Sequence, residues 1–303
     1  MDDLEQFWSN IFSEDPALIA EAWSSLDAAK REAVTSHLRA IAADPARHPD
    51  QRRAAKAALS IPHPPSPSPE HSSREGERGG EVVLASGSPR RRELIALLGL
   101  PFTTINAGVD ETPHPGEDPA AMVARLSLEK ARAAQRASHD SPLPNHPTIL
   151  ITADTTVSLN GEALGKPVDA AEARSILARL RGRVHQVFTA ITLVDLMTDQ
   201  LIADLASTDV PMRDYTDDEM NAYIATGDPF DKAGSYAIQH NGFNPVANLR
   251  GCYANVVGLP LCHVTRALRA LGIDPLVDVP SACQAHLRYE CPVYQSILAR
   301  RET

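Results

Sequence analysis

Residues 148–167 read TILITADTTVSLNGEALGKP. The run Thr148–Ala153 is strongly apolar and predicts a β-strand. Asp154 follows it directly. A carboxylate at a strand's end commonly faces the cleft of an α/β sheet. There it can bind a cation or orient an attacking water. The plainer alternative is a turn aspartate bonded to the amides of Thr155 or Thr156, and position alone favours it. Further on, Asn160-Gly161 signals a hairpin turn. Gly165-Lys166-Pro167 then sets a lysine in a tight turn. It can meet a phosphate or simply be a solvated lysine.

Outward from this stretch, strands and helices alternate. Glu81–Ala85 suits a buried strand, and Pro89–Leu98 a helix capped by Ser88. Asp118-Pro119 opens a helix to about Ala134. Asp169 caps a helix ending near Arg181-Gly182. His185–Asp195 and Leu201–Val210 read as paired strands. Thr216-x-x-Glu219 is a capping box for a helix ending at Gly227, with Asp217 and Asp218 as helix-start charges. Residues 228–239 read as a loop entering a strand, and Pro260–Leu271 as the last clear helix. The alternation predicts an α/β domain over 81–275, followed by a C-terminal tail, 276–303.

Residues 61–80, IPHPPSPSPEHSSREGERGG, carry prolines at 62, 64, 65, 67 and 69 and read as a linker. Before it, residues 1–60 predict a small all-helical extension. Asp15-Pro16 caps a stripe of Leu18, Ile19, Ala22, Trp23 and Leu26. Val34, Leu38 and Ile41 make a second stripe, and Gln51–Leu59 a third helix. Sixty residues are marginal for an independent core, so a homodimer contact or a protein partner is expected for this segment.

With 29 Lys+Arg against 39 Asp+Glu, the net charge is −10. That excludes a surface built to coat nucleic acid. No apolar run approaches the ~18 residues of a membrane span. The start, Met-Asp-Asp-Leu-Glu, lacks a secretory signal's basic and apolar regions, so a cytoplasmic location is expected.

Several groups can carry chemistry. Ser86-Gly-Ser-Pro-Arg-Arg-Arg92 lies between a strand and a helix, where unpaired amides, hydroxyls and arginines suit a phosphate. A capped surface helix explains it equally well. Lys130 lies within an apolar helix beside Val123 and Leu126, pointing into a cleft or snorkelling. Residues 228–239 gather Asp231, Lys232 and Gln239. The glutamine can read a base edge or satisfy a backbone group. Together these are the inventory of a nucleotide phosphohydrolase.

The ordered blocks LASGSPRRRELIALLGLPF, VDETP, LSLEKARA, ITADTTVSLNGEALGKP, GRVHQVFTAITLV, GDPFDKAGSYAIQ and NVVGLPL span about Val82 to Gly272. They resemble the Maf family of nucleoside triphosphate pyrophosphatases. The resemblance implies a Maf/Ham1-like two-lobed mixed sheet around a deep cleft. It also implies the reaction NTP + H2O → NMP + PPi with a divalent cation, Mg2+ or Mn2+. On this reading Asp154 accepts the proton of the attacking water. Ser86, Arg90, Arg91, Lys130 and Lys166 bind phosphates, and Glu111 joins Asp154 at the metal. Arg90, Thr155 and Gln239 match the dTTP/UTP subclass. The 7-methyl-GTP subclass carries an aromatic residue, a glutamine and a glutamate there. The family's IQG is replaced, with His240-Asn241-Gly242 after Gln239, which bears on base choice. A nucleotide-binding regulatory or interaction module is the rival reading.

Cys283-x2-His286-x4-Cys291 reads as a packed tail with free thiols. The alternative is a zinc site completed by Cys262 or His263. His185, in a predicted strand, is structural or cleft-lining rather than a base.

Overall fold

In the computed structural model the described residues are 81–106, 108–139 and 148–300, with 7, 10–13, 15, 18, 19, 22, 23, 34, 35, 38, 41, 42 and 49–60. The predicted linker 61–80, Pro16 and Leu26 lie outside them. Two compact units are present, Met1–Gly76 and Glu77–Thr303. No described helix is long and apolar enough to cross a membrane.

In the first unit, helix α1 spans Pro49–Ser60. Ile11, Ile19, Trp23, Leu38, Ala55 and Ala58 are fully buried in one cluster, so both apolar stripes and the third helix share a core. The Trp23 indole donates to the Ala58 carbonyl at 3.2 Å, which satisfies its polar atom inside that core. Leu18 is exposed instead.

The second unit is built on one mixed sheet. Its strands are β1 Glu81–Ala85, β2 Phe102–Ile105, β3 Thr148–Leu159, β4 Glu162–Leu164, β5 Val184–Asp195 and β6 Leu201–Pro211. Their order is β2-β1-β3-β5-β6, with β4 on the far end of β3. The β2, β1 and β3 strands run parallel, whereas β5 is antiparallel to β3 and β6. Helices α2 (Pro89–Ile95), α3 (Pro119–His139), α4 (Ala170–Leu180), α5 (Asp217–Ala225), α6 (Tyr253–Val257), α7 (Leu261–Ala270), α8 (Val279–Leu287) and α9 (Tyr294–Leu298) complete it.

Two apolar cores flank the middle of the sheet. One gathers Ile149, Ile151, Ala153, Ile191 and Leu193 with Leu94, Val264 and Leu268 from α2 and α7. The other gathers Val157, Leu159 and Val187 with Leu177, Tyr215 and Tyr223 around α4 and α5. The two long strands β3 and β5 therefore run through both cores. Asp154, Thr155 and Thr156 form the polar waist between them. This is the two-lobed architecture.

Three expectations change. Asp154 does not follow its strand but lies within it, opposite Ala190, because β-branched Thr155, Thr156 and Val157 continue pairing with β5. Residues 228–239 do not enter a strand. They form two short 3-10 turns, and Gly234 (φ 71°) and Ser235 (φ 60°) turn left-handed in succession, so no extended run develops. A Cβ on Gly234 would stand 2.7 Å from Val157, so this close approach to β3 requires glycine. Pro260–Leu271 is not the last helix: α8 and α9 follow it, and Val279, Cys283 and Leu287 pack on the first core.

Candidate active site

Local sequence signals position the site. Ser88 caps α2 by accepting from the Arg91 amide, with Pro89 at the helix start. Asp118 accepts from the Ala120 and Ala121 amides at the start of α3. The Asn160-Gly161 turn has both φ values positive (54° and 81°), the primed geometry a tight hairpin needs. It joins β3 to β4 and delivers Lys166 to the cleft.

The cleft at the waist has a volume of about 620 Å3. All nine positions nominated from the sequence reach it: Ser86, Arg90, Arg91, Glu111, Lys130, Asp154, Thr155, Lys166 and Gln239. At its floor, Lys130 Nζ is 2.5 Å from Asp154 Oδ1 and 2.6 Å from Glu111 Oε1. Lys130 and Asp154 are buried, so the Lys130 charge is paired rather than snorkelling to solvent. Burial raises the pKa of Asp154 and outweighs the opposing pull of Lys130 and Arg91. Burial also acts against charged Glu111, but the hydrogen bond and charge of Lys130, with Lys166 and Arg91 nearby, hold that carboxyl below its ordinary range.

One wall is built on Arg91. Its Nε donates to the Gly258 carbonyl at 2.8 Å and its Nη2 to Thr155 Oγ1 at 3.0 Å. Its Nη1 is 3.4 Å from Ser86 Oγ. Burial lowers its pKa, with Asp154 opposing. Thr155 Oγ1 lies 2.9 Å from Thr189 Oγ1, which donates to the Asn255 carbonyl at 3.0 Å. Asn255 in turn donates to the Val187 carbonyl and Thr208 Oγ1. This chain ties Arg91 to the buried β5–β6 scaffold.

The opposite wall comes from residues 228–239. Arg90 Nη1 meets Asp231 Oδ2 at 3.0 Å. Lys232 Nζ meets Asp231 Oδ1 at 2.5 Å and Asp228 Oδ1 at 2.9 Å. Burial acts against charged Asp231, yet Lys232 and Arg90 hold it below the ordinary carboxylate range. Gln239 is exposed at the rim.

Sequence reasoning missed Gly258, Thr189, Asn255 and Asp228. All four lie within the quoted sequence blocks, but Gly258, Thr189 and Asn255 act through contacts with segments distant in sequence, whereas Asp228 pairs locally with Lys232 and Tyr223. His185 does not line the cleft: it is buried, its Nε2 is 2.9 Å from the Tyr236 hydroxyl, and burial lowers its pKa to about 4. Asp217 pairs with Arg181 at 2.7 Å. His286 is exposed, and among the described residues no group of three or more His, Cys, Asp or Glu side chains is placed to hold a metal ion.

Comparison with known proteins places the chain in a family. Curated relatives named dTTP/UTP pyrophosphatase include one from Citrifermentans bemidjiense, 42% identical over 195 residues (64% of this chain, 97% of that one). Another, from Chromobacterium violaceum, is 43% identical over 193 residues (64% and 96%). A third, from Pseudoalteromonas atlantica, is 44% identical over 192 residues (63% and 97%). Among solved structures, the Staphylococcus aureus Ham1 protein aligns at 16% identity and a TM-score of 0.35, over 56% of this chain and 81% of that one. That likeness is too distant to bear on function. The family of Maf-like proteins matches residues 81–271. By that match, and by the relatives it spans almost end to end, the chain belongs to the Maf family.

Proposed function

We infer that the chain is a nucleoside triphosphate pyrophosphatase acting on dTTP and UTP, releasing the monophosphate and pyrophosphate. The observation that carries this reading is the floor of the cleft, where two carboxylates share one lysine beneath Arg90, Arg91 and Lys166. A module that only binds nucleotides has no use for a buried carboxylate beside the phosphate-binding cations. The curated relatives' printed names support the same substrates.

In this reading Arg90, Arg91, Lys130 and Lys166 meet the triphosphate and stabilise charge that develops as pyrophosphate leaves. Ser86 and the amides at the start of α2 add neutral donors. Asp154 orients the water that attacks the α-phosphorus and accepts its proton, and a raised pKa makes it the better base. Lys130 must release Asp154 to follow the phosphate, and Glu111 keeps it within reach.

The donors also fit a divalent cation. Asp154 and Glu111 already hold a positive charge between them, supplied by Lys130. Mg2+ is commonly held by one or two carboxylates together with substrate phosphates rather than by an all-protein cage. Once bound, such an ion supplies charge neutralisation and polarises the phosphoryl group. Arg90, Thr155 and Gln239 support a pyrimidine over a methylated purine, which calls for an aromatic face and a carboxylate.

Residues 1–60 fall outside the region matched to the family. We assign them to contact with a second copy or a protein partner, in a cytoplasmic enzyme.

The deciding experiment offers each common NTP and dNTP, plus 7-methyl-GTP, to the purified full chain with Mg2+, and separates the products. Monophosphate plus pyrophosphate, formed fastest from dTTP or UTP, is the expected outcome. The same products from 7-methyl-GTP alone overturn the subclass. Binding without turnover on any substrate overturns the enzyme. Deleting residues 1–80 should leave turnover intact and abolish association; lost turnover would sink the assignment of that segment.

A further inference from the structure

All four cysteines of the chain line a single small cavity in the second unit, away from the catalytic cleft. They arrive from separate places. Cys252 precedes α6, Cys262 is in the first turn of α7, Cys283 is in α8, and Cys291 is in the segment between α8 and α9. The remaining wall carries no acid, no histidine and no cationic group. His286 and His263, the ligands suggested by sequence spacing, do not line it; Cys252 does.

The tail is shaped to make this convergence. Arg288 ends α8 with a left-handed φ of 49°, which turns the chain back. The Tyr289 hydroxyl is then 3.0 Å from the carbonyls of Leu249 and Gly251, the latter adjacent to Cys252. The Cys291 amide donates to Gln284 Oε1 at 2.9 Å, one residue from Cys283. Packing alone gives no reason for cysteines from four segments to line one cavity. Cys283 and Cys291 also lie beyond residues 81–271, so half of the set is outside the family pattern.

We propose that Cys252, Cys262, Cys283 and Cys291 form a tetrathiolate zinc site that fastens the C-terminal tail to the catalytic unit. Zinc takes four thiolates tetrahedrally at about 2.3 Å in closed, structural sites. The cavity is small, about 10 Å3, which suits a single ion better than an iron–sulfur cluster. The step involves no redox change: Zn2+ plus four thiols gives the tetrathiolate complex of charge 2− and four protons. Among the described residues no group of three or more His, Cys, Asp or Glu side chains is placed to hold a metal ion, so binding requires the four thiols to rotate toward one another.

The test is metal analysis of the full-length protein, purified with reductant and without chelator. A stoichiometric zinc ion that survives dialysis and is released by a mercurial thiol reagent is the expected result. The Cys283→Ser/Cys291→Ser variant should lose it and cleave faster in the tail under limited proteolysis. If that variant does not fold, cobalt exchange into the wild type gives the same answer, through the visible bands of tetrahedral cobalt thiolate. Metal-free protein with four titratable thiols, iron with inorganic sulfide, or disulfides by mass spectrometry would each overturn the site. Turnover is not the readout, so failure here is distinct from failure of the pyrophosphatase reading.

Discussion

Lys130 Nζ stands 2.5 Å from Asp154 Oδ1, with both side chains buried at the waist between two apolar cores. The lysine belongs to α3, which packs on β3 and β5, and the aspartate to the middle of β3. Helix and strand thus hold a buried ion pair in the cleft between the two cores. The first consequence is kinetic.

Asp154→Asn should lower dTTP turnover by about 10²- to 10⁴-fold, the usual worth of a positioned acid–base group. Folding should not suffer. Burial raises the Asp154 pKa, so its charged form is the costly one, and its effect on stability worsens as pH rises from the unfolded carboxyl's pKa to the folded value. The variant should therefore melt at or above the wild-type temperature at pH 7. In the wild type, kcat should fall on the acid side with an apparent pKa above the ordinary carboxylate range. Wild-type turnover in the variant would remove Asp154 from the mechanism.

Arg91→Lys tests the wall. A guanidinium spans the Gly258 carbonyl and Thr155 hydroxyl together, whereas an ammonium cannot. Losing hydrogen bonds made by a charged group should cost about 1–3 kcal/mol of stability. KM for dTTP should rise more than kcat falls, because phosphate binding is weakened in the ground state as well. Denaturant titration and steady-state kinetics together check both parts.

Gly258→Ala probes the same contact from the backbone side. Gly258 has φ of 119°, and an added Cβ would lie 3.3 Å from Thr155 Oγ1. A non-glycine residue at such a φ costs on the order of 1–3 kcal/mol. The urea midpoint should drop at unchanged m-value, and KM should rise because Arg91 loses its carbonyl anchor.

Acid sensitivity should come from two buried histidines. Burial lowers His185 and His263 from 6.5 to about 4, with Asp204 opposing the shift at His263. Between those values the unfolded chain binds protons that the folded chain refuses, so stability falls as pH drops from 6.5 towards 4 and levels off below. Each histidine contributes on the order of 3 kcal/mol to that fall. Melting curves across this range should show it, and His185→Gln should flatten the slope. An unchanged slope would exclude His185 as a source.

Where one turn of chain contains the whole device, the sequence was legible. The capping box of Thr216 and Glu219 forms as read, as do the caps by Ser88 and Asp169. Legibility failed where pairing partners lie far apart. The continuation of β3 through Asp154 depends on β5, and β2 exists because it pairs with β1. Asp231 was visible as a loop carboxylate, but its partner Arg90 is 141 residues away.

The amino-acid sequence by itself determined the α/β alternation, the helix starts and the hairpin that carries Lys166. It also nominated nine residues that all line the cleft, because these properties rest on backbone propensity, capping and ordered motifs within a few residues. Only the tertiary structure decided that Asp154 sits at mid-strand between two cores and shares Lys130 with Glu111. It alone decided that Arg91 is braced through Gly258, and that Cys252 rather than a histidine joins the other three thiols. The physical reason is common to all of these. Burial and charge pairing are properties of surfaces brought together across the fold, and no stretch of chain carries them alone.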